Sequence, residues 1–232
     1  FYNDVIDELI KNGIKPVINL HHFDLPVALY HKYGGGESKH VVELFAKFAE
    51  QCFKLFGDRV TDWFTFNEPM VVAEGEYLHQ FHYPNLVDGK KAVQVAYNIQ
   101  LASAKAIACF KKVNPNPAGR IGIILNLTPA YPASQKESDL AAAEFADLWL
   151  NQLYMNASTL GEFPAALTER LAADGVLWET SSEELQLIKD TTIDYLGVNF
   201  YHPHRVKAPE VSPDSLAVDW LPEQYFEEYQ MP

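Results

Sequence analysis

Short, uninterrupted apolar segments alternate along this chain with stretches whose apolar residues recur every three to four positions, and that alternation dictates the fold class. Asn3 to Asn12 reads as a helix, with Val5, Ile6, Leu9 and Ile10 on one face and Gly13 where a helix C-terminus favours a left-handed residue. Lys15 to Leu20 reads as a strand. Val41 to Phe56 carries the stripe Val41, Phe45, Phe48, Ala49, Cys52, Phe53 and Phe56, the pattern of a helix packed on a sheet. Val60 to Phe66 is a second strand, Lys90 to Val113 a long helix and Arg120 to Leu127 a third strand. Helices follow from Ser138 to about Met155, from Pro164 to Ala173, and behind Ser181, where Glu184 completes a capping box. Ile193 to Phe200 is a fourth strand, and the Pro-rich, acidic and aromatic C-terminal stretch reads as loop.

Fully apolar strands need cover on both faces and each parallel crossover needs a helix, so the class is α/β with a parallel sheet. No Gly-rich phosphate loop follows any strand, which argues against a doubly wound nucleotide-binding fold. A (β/α)8 TIM barrel is the expected architecture. It takes eight strands in roughly 250 residues, whereas half that number is legible in these 232. The chain opens at Phe1 inside a helix, without an initiator Met, and stops at Met231-Pro232 without a finishing element. Residues 1–232 are therefore expected to be the central part of one barrel domain, with N- and C-terminal parts absent.

Charge narrows the partners. With 18 Lys and Arg against 31 Asp and Glu the net charge is −13, a field that repels nucleic acid and anionic membranes. No apolar run reaches the roughly 20 residues that span a bilayer, and no signal-peptide pattern opens the chain. Cys52 and Cys109 fall on apolar helix faces away from any CxxC spacing, as small hydrophobes do in a reducing compartment, so the cytoplasm is expected.

In a parallel barrel the chemistry gathers where strands end and βα loops begin. The first strand runs into His21-His22-Phe23-Asp24, the second into Asn67-Glu68-Pro69, the third into Asn126, and the fourth into Asn199-Phe200-Tyr201-His202. Glu68 follows Trp63-Phe64-Thr65-Phe66, and a carboxyl beside aromatic surface suits a general acid. It would equally serve as a strand-end cap paired with a basic side chain. Adjacent histidines on a strand face opposite ways, so at most one of His21 and His22 lines the mouth. Asn67, Asn126 and Asn199 fit either ligand contacts or loop-start residues bonding local backbone.

These residues sit in specific motifs. Lys15-Pro16-Val17-Ile18-Asn19-Leu20-His21-His22-Phe23-Asp24-Leu25-Pro26 followed by Gly34-Gly35, Thr65-Phe66-Asn67-Glu68-Pro69, Gly161-Glu162-Phe163-Pro164 and Asp194-Tyr195-Leu196-Gly197-Val198-Asn199-Phe200-Tyr201 together resemble glycoside hydrolase family 1, the retaining β-glycosidases. Phe81-His82-Tyr83-Pro84, Ala92 to Asn98 and Leu221 to Phe226 are most similar to its bacterial 6-phospho-β-glucosidases. The resemblance implies that the strands are the third to sixth of the barrel and that Glu68 is the acid/base. It implies that His22, Asn67 and Asn199 bind substrate and that Tyr201 bonds the nucleophile. The expected ligand is a small β-glycoside, 6-phosphorylated, with no cofactor, no metal, no nucleic acid and no membrane; a homo-oligomer stays open.

Retaining hydrolysis needs two carboxyl groups about 5–5.5 Å apart. The family nucleophile lies in a Thr-Glu-Asn-Gly stretch, and no Glu-Asn-Gly occurs here. The first two strands and the late loop whose Ser, Lys and Tyr hold the 6-phosphate are also missing, so the segment alone is expected to be inactive. Smaller departures are Gly36 and Phe23, where Trp is common, and Asn156, where Asp is usual. A β-glucosidase or 6-phospho-β-galactosidase of the same family, a carbohydrate-binding pseudoenzyme, and a metal-dependent barrel hydrolase using His22, Glu68 and His202 or His204 are the competing readings, the last without a convincing metal spacing.

Overall fold

Every expected strand forms. The computed structural model describes residues 1–210 and 220–229. The strands β1 (Val17–His21), β2 (Asp62–Asn67), β3 (Arg120–Asn126) and β5 (Tyr195–Asn199) make one sheet in the order β1-β2-β3-β5, and every pairing in it is parallel. His21 pairs with Phe66, Asn67 with Ile124 and Asn126 with Asn199, so the carboxyl ends emerge on one side of the sheet. The register slips between Phe64 and Asn67, which bends the end of β2. Gly122 and Tyr195 explain how closely β3 and β5 approach: a Cβ on Gly122 would lie 2.2 Å from the Tyr195 carbonyl oxygen.

The crossovers are helical, as parallel strands require. They begin with α1 (Tyr2–Lys11), α2 (Val27–Tyr33), α3 (Lys39–Phe56), α4 (Pro69–Tyr77) and α5 (Gly89–Val113). Ser38 caps α3 by accepting from the His40 amide, and Asp88 caps α5 by accepting from Lys91. Between β3 and β5 run α6 (Glu137–Asp147), a π turn at Leu148–Gln152, α7 (Leu153–Thr159), α8 (Ala165–Ala173) and α9 (Ser182–Asp190), the last opened by the expected Ser181–Glu184 capping box.

Two buried clusters fill the space between sheet and helices. Phe53, Trp63, Phe110 and Ile121 form one toward the start of the strands. The larger one joins Tyr77, Tyr97, Ile123, Leu125, Trp149 and Tyr154. Cys52 and Cys109 are half-buried free thiols; burial pushes the Cys52 thiol up to about 11 and raises Cys109 as well, which keeps both protonated at neutral pH.

The structure departs from the expected elements in three places. Helices α2 and α4 have no clear stripe in the sequence: α2 buries no residue, whereas α4 is buried on nearly all sides. The single helix expected from Ser138 is interrupted by the π turn. The C-terminal stretch is not all loop, because β6 (His204–Lys207) pairs in parallel with β4 (Ala130–Pro132) and antiparallel with β7 (Glu227–Glu228). The parts of that stretch at 211–219 and 230–232 lie outside the described residues.

Three buried ionisable groups carry electrostatic weight. Asp62, at the start of β2, is 4% exposed. Burial pushes its carboxyl up, but hydrogen bonds from Lys15, Arg120 and Thr61 more than offset this and hold it low, with Arg120 Nε and Nη2 donating to Oδ1 at 2.9 and 2.7 Å. Glu76 on α4 is 3% exposed, and burial pushes its carboxyl up to about 7 although the Tyr30 hydroxyl donates to it at 2.6 Å. His21 is pulled down to about 4, chiefly by burial.

Replacing Asp62 by Ala removes a brace across β2, β3 and the segment entering β1, and should lower unfolding free energy by about 1–3 kcal/mol at neutral pH. The Asp62 contribution is present above pH 3.8, its ordinary value, and fades as pH falls below it. Chemical denaturation of the variant across that range measures both. Glu76 acts in the opposite direction. Between its ordinary 4.5 and about 7 the unfolded chain releases the proton that the folded chain keeps, so stability falls as pH rises through that window. Glu76→Gln should flatten that slope and raise stability at pH 8 by on the order of 2 kcal/mol, read from denaturation midpoints at pH 5 and pH 8.

Candidate active site

The mouth of the sheet is built around Glu68. It follows β2 directly, with its amide donating to the Ile124 carbonyl at 2.8 Å, so the ladder to β3 extends one residue past the strand. Its backbone is left-handed, at φ 47° and ψ 63°, and Pro69 opens α4 immediately after it. A proline disfavours the right-handed helical region for the residue before it. An extended Glu68 would carry the chain straight on, and the left-handed conformation instead turns it back along the sheet as α4. The carboxyl stays at the strand end, 7% exposed.

Two donors from the end of β5 converge on one oxygen of that carboxyl. Asn199 Nδ2 and the Tyr201 hydroxyl each donate to Glu68 Oε1 at 2.7 Å. Among the described residues no side chain donates to Oε2. Asn199 Nδ2 also reaches Asn67 Oδ1 at 3.0 Å, and Asn67 Nδ2 lies 3.5 Å from His22 Nε2. The side chains of His22, Asn67, Glu68, Asn199 and Tyr201 thus form one polar row along the carboxyl ends of β1, β2 and β5. The five residues that the family resemblance marks for binding or catalysis all lie in it, whereas His202 lies outside, exposed, with its ring nitrogen 3.3 Å from the Pro203 carbonyl. Asn126, buried at the end of β3, stays outside the row.

The two histidines divide as strand geometry requires. His21 is buried against Phe66 and Phe45, with ring centroids 5.0 and 6.4 Å away, whereas His22 is exposed at the mouth. The His22 amide donates to Asp24 Oδ1 at 2.9 Å and its ring meets Phe23 edge to face at 5.1 Å. Phe23 sits at φ 66° and packs on the His82 ring, 5.2 Å away.

Tyr201 was expected to bond a nucleophile and here its hydroxyl rests on Glu68. That hydrogen bond and the neighbouring carboxyl charge push the Tyr201 phenol up. No cation pairs with Glu68 among the described residues, so its hydrogen bonds come from neutral groups and the strand-end ion-pair alternative finds no partner there. Among the described residues no group of three or more His, Cys, Asp or Glu side chains is placed to hold a metal ion. His204 instead pairs with Glu228 across β6 and β7.

Sequence patterning had missed the residues that hold the loop after β3. Asn151, on the π turn, accepts from the Thr128 amide at 2.8 Å and donates to the Thr128 carbonyl at 2.9 Å and to Asp147 Oδ1 at 2.7 Å. A π turn shifts side-chain phase by one residue, and the local sequence does not announce it. Among the described residues no helix is long and apolar enough to cross a membrane.

Comparison with known proteins gives the family and the fold. The profile of glycosyl hydrolase family 1 matches residues 1–224. Over all 232 residues the chain is 49% identical to the 6-phospho-beta-glucosidase GmuD of Bacillus subtilis, of which it covers 49%. It is 38% identical to Beta-glucosidase 26 of Oryza sativa, with 95% of this chain and 45% of that protein aligned. Among solved structures, the family 1 β-glucosidase from Thermotoga maritima superposes with a TM-score of 0.84 at 33% identity, covering 99% of this chain and 48% of that one. A rice β-glucosidase in covalent complex with Glc superposes with a TM-score of 0.88 at 28% identity, covering 98% of this chain and 50% of that one. The fold of these neighbours is the (β/α)8 TIM barrel, and the chain spans about half the length of the relatives it matches. By sequence profile, identity and superposition alike, the chain belongs to glycosyl hydrolase family 1.

Proposed function

We propose that this chain is the acid/base half of a retaining β-glycosidase, its strands the third to sixth of a barrel whose remaining strands supply the nucleophile. The observation that carries the reading is the convergence of Asn199 and Tyr201 on Glu68 Oε1, which orients the carboxyl and leaves Oε2 without a described donor. A carboxyl gripped by one oxygen and open at the other has the arrangement of a proton donor to a glycosidic oxygen. Glu68 then protonates the leaving group, and in the second half-reaction takes a proton from the water that cleaves the glycosyl-enzyme. A neighbour captured in covalent complex with Glc fits such an intermediate. Asn67, Asn199 and His22 present hydrogen-bonding groups on the side where the sugar ring lies.

Tyr201 keeps a role in positioning the nucleophile. The two carboxyls of a retaining site stand about 5–5.5 Å apart, and a hydroxyl 2.7 Å from Glu68 lies within reach of both. It can donate to only one of them at a time, and the more negative partner attracts it.

The substrate assigned is a 6-phospho-β-glucoside. The 49% identity to a 6-phospho-beta-glucosidase, against 38% to a plant β-glucosidase and 35% to a 6-phospho-beta-galactosidase, supports it over the plain glucoside and the galactoside. Phosphorylated sugars do not cross membranes unaided, and the half-buried free thiols fit a reducing interior, so the proposed location is the cytoplasm.

In the intact protein, nitrophenyl 6-phospho-β-glucoside should be turned over in preference to its unphosphorylated counterpart. Glu68→Gln should cut turnover by about 10²–10⁴-fold. Undiminished turnover in that variant would remove Glu68 from the chemistry, and a preference for the plain glucoside would reverse the substrate assignment. The 232-residue chain by itself should show no turnover of either compound.

A further inference from the structure

The loop from 78 to 88, between α4 and α5, is fastened to α4 by its backbone. The amides of His82, Leu86 and Asp88 donate to the carbonyls of Gly75, Glu76 and Tyr77 at 2.9, 2.9 and 2.8 Å. The side-chain amides of Gln80 and Asn85 each donate to the other residue's carbonyl, at 3.0 and 2.7 Å, and close the loop on itself. Phe81 lies across Gly75, where a Cβ would stand 2.4 Å from its ring. Loop and helix therefore form one body, and that body begins at Glu68.

From it the His82 ring reaches the loop that follows β1. Its centroid lies 5.2 Å from that of Phe23, and Phe23 meets His22 edge to face at 5.1 Å. Phe81 backs His82 at 4.8 Å, also edge to face. Phe23 is held at φ 66°, a conformation that a bulky residue keeps only where its surroundings fix it. Asp24 fixes the backbone there by accepting from the His22 amide at 2.9 Å, and the ring contacts fix the side chain.

We propose that His82 is a positioning residue for substrate binding: through Phe23 it holds the His22 imidazole in register with Glu68. The inference rests on the reading of His22 as a sugar contact and of Glu68 as the acid. The two follow different strands, and the only polar link from the His22 ring to the row, Asn67 Nδ2 at 3.5 Å among the described residues, is too long to fix an imidazole. The stacked rings supply a second constraint, carried by the helix that starts at the acid. His82 serves here as a ring. Its Nδ1 is buried and has no hydrogen-bond partner among the described residues, so a phenyl group of similar shape meets the same need.

Steady-state kinetics of the intact protein with nitrophenyl 6-phospho-β-glucoside test it. His82→Ala should raise KM by about tenfold and leave kcat within about twofold, a size that a lost ring pair and a displaced contact explain. His82→Phe should restore the KM of the unchanged protein. In a His22→Ala background the loss of His82 should raise KM no further, because the two residues act through one contact. Additive effects overturn the inference, since they mark general loosening; rescue by Gln and not by Phe overturns it in favour of a nitrogen contact. If His82→Ala does not fold, His82→Leu, which keeps apolar bulk without the ring, carries the same expectation. Glu68→Gln separates the two readings. Undiminished turnover there removes the acid, whereas an inactive Glu68→Gln beside a His82→Ala protein of unchanged KM removes only the role of His82.

Discussion

The left-handed turn at Glu68 is the constraint from which the arrangement at the mouth follows. A non-glycine residue in that conformation costs about 1–3 kcal/mol and persists only where its surroundings fix it. Here Ile124 holds the amide, Pro69 disfavours the right-handed alternative, and α4 is buried on nearly every side and does not shift to relieve the strain. The carboxyl is consequently projected from a rigid strand end toward β5, where the pairing of Asn126 with Asn199 brings Asn199 and Tyr201 within reach of it. Relaxing the turn would move Glu68 relative to both donors at once.

The two ends of β2 show how one strand carries carboxylates of opposite character. Asp62 meets Lys15 and Arg120, cations that compensate its burial and fix it in the ionised form. Glu68 meets an amide and a phenol, which orient it without neutralising charge. The first arrangement is a brace, because a permanently paired carboxylate has no reason to exchange protons. The second orients a carboxyl with neutral donors and leaves it outside any ion pair among the described residues. The brace at the amino ends and the neutral donors at the carboxyl ends thus stand about 20 Å apart along the strand.

Much of this was legible in the sequence because the physics behind it is local. The stripe from Val41 to Phe56 and the capping box at Ser181 declare helices on their own, and the alternation of elements gives the parallel sheet. Helix α4 was not legible, since burial of Met70, Val72, Ala73, Glu76 and Tyr77 around its circumference erases the periodicity that marks a one-sided helix. The β4–β6–β7 sheet joins strands of four residues or fewer, and Val206 with Glu228 is a pairing that no local pattern encodes. The same holds for the site. Motifs marked His22, Asn67, Glu68, Asn199 and Tyr201 as candidates, yet 131 residues separate Asn199 from Glu68, and only the register of β3 against β5 brings them together. The resemblance implies Tyr201 beside a nucleophile; the fold of this segment adds that its hydroxyl rests on Glu68.

The sheet ends on β1 and β5, and its apolar surface does not end with it. Val17 and Val198 are half exposed, and Phe1, Tyr2, Val5, Ile10 and Ile14 leave an apolar face at and beside α1 open. Parallel sheets are stable when buried on both faces and closed or covered at their edges, so these surfaces call for further barrel units. The same incompleteness reaches the chemistry. Tyr201 is 67% exposed and Phe200 62% exposed, although the proposed protonation of a glycosidic oxygen would gain from excluding water. This segment fixes where Glu68 stands and which way its carboxyl points. In the proposed reaction the dry enclosure and the second carboxylate come from surfaces that meet β1 and β5, and the exposed apolar residues along those edges are the complement such surfaces would cover.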